Sequence, residues 1–157
     1  MDKINRYIAT LNIDIETYQW NEQFLNQFAK PDAKLKSVSI PCIRKFVDDE
    51  IEDLTADELN EICYEGSEIT FVVEESEFHK GFSKTFINEV GFTVRQMFDN
   101  VVDFEIKARP LSNWFGGIDC HHIYFDGFNK IDGTDNHYTI YWVLKYQSLI
   151  ILCNIEN

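Results

Sequence analysis

The spacing of apolar residues changes along this chain, and the change limits what it can fold into. A period near 3.6 buries one face of a helix, whereas a period of two buries one face of a strand. Over the first 66 residues the spacing is helical. Ile4, Tyr7, Ile8 and Leu11 recur three and four apart. A second helix is predicted from Asp14, whose carboxylate can cap free N–H groups, to Lys30-Pro31; Trp20, Phe24, Leu25 and Phe28 form its apolar face. Pro41 suits the first turn of a third, with Ile43, Phe46, Val47, Ile51 and Leu54 following at three- and four-residue spacing. A fourth begins at "LTADEL", where Thr55 and Glu58 fit a capping box, Leu54 can staple to Leu59, and Gly66 is a stop.

The period then shortens. "SEITFVVEE" (67–75) puts Ile69, Phe71 and Val73 on one face and is rich in β-branched residues, so a strand is predicted. Residues 77–90 fit neither period. "GFTVRQMF" starts another helix: Thr93 and Gln96 fit a capping box, and Phe92 can staple to Met97. Val94, Met97, Val101 and Val102 line its face as far as Arg109, before Pro110. "CHHIYFDGF" and "HYTIYWVL" are predicted as strands joined by a loop containing Asp132-Gly133, with "LIILCN" as a third.

Helices followed by strands argue for an α+β fold, with N-terminal helices packed on a C-terminal, mainly antiparallel β-sheet. Residues 1–157 are expected to form one domain: 1–66 mainly helical, 67–75 a strand, 93–109 a helix and 119–153 antiparallel strands. Apolar residues make up 45% of the chain, enough for one core at this length.

The net charge of -13 and a pI near 4.6 repel nucleic acid and anionic membrane, which excludes both as expected partners. "MDKINRYIATLNID" has no apolar run behind a basic start, and the longest apolar run, "LIILC", is too short to span a bilayer. Cys42, Cys63, Cys120 and Cys153 are widely spaced, with neither a zinc-ribbon nor a disulfide-framework pattern. They read as reduced thiols of a cytoplasmic protein.

Chemistry concentrates in "WFGGIDCHHIYFDG" (114–127). Asp119, His121, His122 and Asp126 are metal-ligand types. In a regular strand, however, Asp119 and His121 share one face while His122 and Asp126 share the other, so one ion cannot easily collect the set. A nucleophilic Cys120 with His122 as base has the better parity, but no nucleophile elbow or helix N-terminus activates the thiol. No dinucleotide, P-loop, zincin or EF-hand motif is present. No cofactor is therefore expected, and the stretch reads mainly as a glycine turn entering a core strand.

The distinctive charge lies elsewhere. From Asp48 to Glu77 thirteen residues are acidic and none is lysine or arginine. Asp48, Asp49, Glu50, Glu52, Asp53, Asp57, Glu58 and Glu61 lead that run, and self-repulsion makes such clustering costly to keep. The run reads either as a solvated face or as a surface for a basic protein. The second reading is the one carried forward, with exposed aromatics such as Trp114 and Tyr124 as buried anchors. The expected function is thus a small acidic, cytoplasmic protein-binding protein. Its concrete form is an immunity or inhibitor protein that masks a basic partner such as a toxin. The alternative is a small enzyme or metalloprotein centred on Asp119–Asp126.

Overall fold

The computed structural model describes residues 1–17, 33–112 and 118–144. Among these, the strands are β1 (Ile8–Ala9), β2 (Asn12–Thr17), β3 (Ala33–Ser39), β4 (Ile43–Val47), β5 (Glu50–Asp53), β6 (Ile62–Tyr64), β7 (Glu68–Ser76), β8 (His79–Ile87), β9 (Phe92–Thr93), β10 (His122–Lys130) and β11 (His137–Leu144). Two α-helices interrupt them, α1 (Ala56–Asn60) and α2 (Val94–Ala108), and 3-10 turns occupy Ile4–Arg6 and Arg109–Leu111. The largest sheet has the order β10-β11-β7-β8, antiparallel except where β11 meets β7. A second sheet has the order β1-β4-β5, and β2-β3 and β6-β9 form two-stranded pairs.

The described residues are therefore mostly β, with one long helix among them in the C-terminal half, and do not form a set of N-terminal helices packed on a sheet. Where the first 66 residues are described, their helical spacing resolves into strands and short turns. A 3-10 turn seats Ile4, and Tyr7, Ala9 and Leu11 then alternate inward. In "NIDIET" Ile13 and Ile15 are half-buried while Asn12, Asp14 and Glu16 are exposed, which is the strand period. Asp14 caps no helix; it lies opposite Ser37 in β3. The predicted apolar face of Trp20, Phe24, Leu25 and Phe28 falls outside the described residues.

The predicted helix over 43–54 is a hairpin. A helix there would stack Asp48 over Glu52 and Asp49 over Asp53, like charges at i,i+4. The hairpin instead sets Glu52 opposite Lys45 and Asp53 opposite Arg44. Its two-residue turn is Asp48-Asp49, with φ of 49° and 67°. Left-handed geometry at both central residues matches the twist of a tight hairpin, and aspartate tolerates it. The Thr55–Glu58 capping box forms, but α1 ends at Asn60 because Ile62–Tyr64 leaves to pair with Phe92–Thr93.

From residue 67 onward sequence and structure agree more closely. The strand at 67–75 is β7, and the ambiguous stretch becomes β8, its antiparallel partner. Thr93 and Gln96 cap α2 reciprocally, and β10 and β11 pair antiparallel. "LIILCN" lies outside the described residues. Helix α2 buries Val94, Met97, Phe98, Val101, Phe104 and Ala108. Phe71 on β7 anchors the core, with Phe86, Phe104 and Phe128 at ring-centroid distances of 5.5, 5.8 and 5.4 Å. Each such ring contributes about 1.5–3 kcal/mol by burial.

Candidate functional site

Two regions carry chemistry. The first is a cleft of about 260 Å³ between the end of α2, β11 and the entry to β10. It opens into an adjoining hollow of about 300 Å³, and the two share His79, Ser112, Asp119 and His122. The last turn of α2 organises this region. Glu105 and Arg109, four residues apart, are both buried, and Arg109 Nε donates to Glu105 Oε2 over 2.6 Å. The same guanidinium donates through Nη1 to the Asp119 carbonyl (2.5 Å) and through Nη2 to the His122 carbonyl (2.7 Å). Its carbon sits 5.6 Å from the Trp142 ring centroid, and the Trp142 indole N–H donates to Glu105 Oε1 at 2.8 Å. One ion pair thus ties α2 to β11 and to the chain entering β10.

Asp119 forms a turn at that entry. Its Oδ1 accepts from the backbone N–H groups of His121 (2.9 Å) and His122 (3.2 Å), and its Oδ2 lies 2.7 Å from His122 Nδ1. A carboxylate can only accept here, so Nδ1 carries the proton. The strand begins at His122, three residues after Asp119, so strand parity does not separate this pair. His79 is committed to backbone. The Gly81 N–H donates to Nδ1 (3.0 Å), which leaves Nε2 to donate to the Ala108 carbonyl (2.8 Å).

The other residues of that stretch do not converge on the pair. His121, Cys120 and Asp126 are exposed, and Cys120 makes no hydrogen bond to His122. Among the described residues no group of three His, Cys, Asp or Glu side chains is placed to hold a metal ion. Tyr124 is half-buried, and its backbone bridges to Thr10; Trp114 lies outside the described residues. Sequence reasoning missed Glu105, Arg109, Ser112 and Trp142, whose signal was the i,i+4 Glu–Arg pair ending an otherwise apolar helix face.

The second region is the acidic hairpin β4–β5 with α1. Part of its charge is answered by the chain's own cations. Arg44 pairs with Asp53 at 3.0 Å, Lys45 with Glu58 at 2.6 Å, and Lys3 with Glu61. Lys45, aided by the Thr55 N–H, holds the Glu58 carboxyl down at about 2. Asp48, Asp49, Glu50, Glu52 and Asp57 have no ion pair among the described residues. All four residues of β5 are exposed, and β5 is the last strand of its sheet. Phe46 and Ile51 lie opposite each other across the hairpin and are 45% and 48% exposed, an apolar pair among carboxylates. Sequence reasoning missed this pair too, because a helix would have turned both residues into the core.

Comparison with protein-family models, curated proteins and solved structures finds no match to this chain. No helix among the described residues is long and apolar enough to cross a membrane.

Proposed function

We propose that this is a protein-binding protein that engages a basic partner through the acidic hairpin β4–β5. The observation that carries the reading is where the unpaired charge falls. Asp53, Glu58 and Glu61 are neutralised internally, whereas the tip and edge acids Asp48, Asp49, Glu50 and Glu52 face solvent beside the Phe46–Ile51 pair. Apolar contact surrounded by uncompensated charge suits a surface that anchors a partner and steers it into place. An immunity or inhibitor protein of the cytoplasm, masking the cationic site of a toxin, is the concrete form. The test is affinity capture from the source cells at low salt, with wild type beside a variant carrying Asp48→Asn, Asp49→Asn, Glu50→Gln and Glu52→Gln. A basic protein held by wild type, released by raised salt and lost by the variant is the expected result. Equal retention by the variant, or no basic partner at all, overturns the reading.

A second reading rests on Asp119 and His122. A carboxylate that fixes the imidazole tautomer beside a cleft with an aromatic wall is the arrangement of a general acid–base site for a small molecule. A fragment screen by NMR tests it. Ligands that shift both the His122 ring and the Trp142 indole N–H support it, and a screen without such ligands removes it.

A further inference from the structure

We infer that the outer edge of β5 accepts an extended cationic segment of the partner as an added β-strand. This rests on the proposed role of the hairpin and specifies how the partner is held. In an antiparallel pair, residues alternate between those bonded to the neighbouring strand and those whose peptide groups point away from it. Val47 and Glu50 flank the two-residue turn and so form a bonded pair, and two residues on Lys45–Glu52 is the next. The Leu54 N–H donates to the Ile43 carbonyl at 3.0 Å, continuing that phase. Ile51 and Asp53 therefore turn their N–H and C=O groups toward the open edge, where no strand pairs among the described residues.

The side chains say what such a strand must look like. Ile51 shares a face with Phe46, and Glu50 and Glu52 project from the opposite face. A segment alternating apolar and basic residues would cover Ile51 on one face and meet both glutamates on the other. A second copy of this chain is a poor occupant, because Glu50, Glu52 and Asp53 would face their own counterparts across one strand spacing. Charged residues also guard edges against self-pairing. That role requires no exposed apolar pair, so the exposed Phe46 and Ile51 favour an edge that is used.

The test is amide hydrogen exchange by NMR on the full chain at low salt, using a short blocked peptide that alternates lysine and valine. The Ile51 and Asp53 amides should exchange about tenfold more slowly or better with peptide bound, while those of Glu50 and Glu52, already bonded in the hairpin, change little. The same peptide N-methylated at alternate residues should give no protection. If the peptide binds in a salt-sensitive way and the N-methylated form binds equally well, with Ile51 and Asp53 unprotected, strand addition is wrong and the acidic-surface reading stands. If a glutamate–valine peptide protects the same amides, selection by charge is wrong. If the lysine–valine peptide does not bind at low salt, both the inference and the reading beneath it lose their support.

Discussion

Replacing Arg109 by methionine tests the network that holds the cleft together. Arg109 is 5% exposed and makes three hydrogen bonds, to Glu105, to the Asp119 carbonyl and to the His122 carbonyl. Methionine keeps much of the aliphatic volume but leaves the Glu105 carboxylate, 4% exposed, with the Trp142 indole as its remaining donor. Stranding one member of a buried pair costs about 3–5 kcal/mol. The two carbonyls lie at the cleft, where water can replace the lost donor, so they add little. The expected loss is about 4 kcal/mol, a large share of the roughly 5–15 kcal/mol that a domain holds. At about 2–4 °C per kcal/mol for a chain of this size, the melting point should fall by about 8–16 °C. Urea denaturation followed by circular dichroism measures the loss, provided the m-value matches wild type. Adding Glu105→Leu removes the stranded charge, so the double variant should be more stable than the sum of the single losses predicts. A loss below about 1 kcal/mol for R109M, or additive losses in the pair, would refute the claim that this ion pair organises the region.

Four further outcomes follow. Glu58 is ionised down to about 2 in the folded protein against 4.5 as its ordinary value, so its contribution is complete above 4.5 and is lost as pH falls toward 2. Lys45→Met should return the Glu58 titration, read by NMR, toward the usual carboxylate range, and an unmoved titration would show that Lys45 is not the cause. Burial pushes the Cys63 thiol up to about 11 while Cys120 is exposed, so a thiol reagent at pH 8 should label Cys120 readily and Cys63 only on unfolding. Gly91 has φ of 82°, and an added Cβ would lie 2.6 Å from the Tyr64 carbonyl oxygen; Gly91→Ala should cost about 1–3 kcal/mol in the same urea assay. The Tyr7 hydroxyl is buried and accepts or donates no hydrogen bond among the described residues, so Tyr7→Phe should be neutral or stabilising, and a loss above about 1 kcal/mol would reveal a partner.

The capping box at Thr93–Gln96 and the strand alternation at Ile69–Val73 were legible because each is local and self-sufficient: the residues that carry the signal also satisfy it. The N-terminal third was not legible in this way. Apolar residues three and four apart over ten positions fit a helix, and they equally fit a turn followed by a strand. The choice was made by distant partners. The Leu11 N–H finds the Ile123 carbonyl, and the Asn5 amide brackets Phe128 through both its oxygen and its nitrogen. The Asp119–His122 contact was misplaced for a related reason. Strand parity assumes that the strand has begun, and Asp119 instead folds back onto the two N–H groups ahead of it.

The hairpin shows how electrostatics settled a choice that hydrophobic spacing left open. Of the carboxylates that would have repelled along a helix, the strands bring Glu52 opposite Lys45 and Asp53 opposite Arg44, and Arg44 pairs with Asp53 while Lys45 is taken by Glu58. The cations lie on β4, toward the body of the protein, and β5 carries none. Charge is therefore balanced where the sheet meets the domain and unbalanced at its edge. The one position of β5 that is not acidic, Ile51, holds an exposed apolar side chain and no cation that would ease the repulsion between Glu50 and Glu52. The missing charge at that edge is the charge a basic strand would bring.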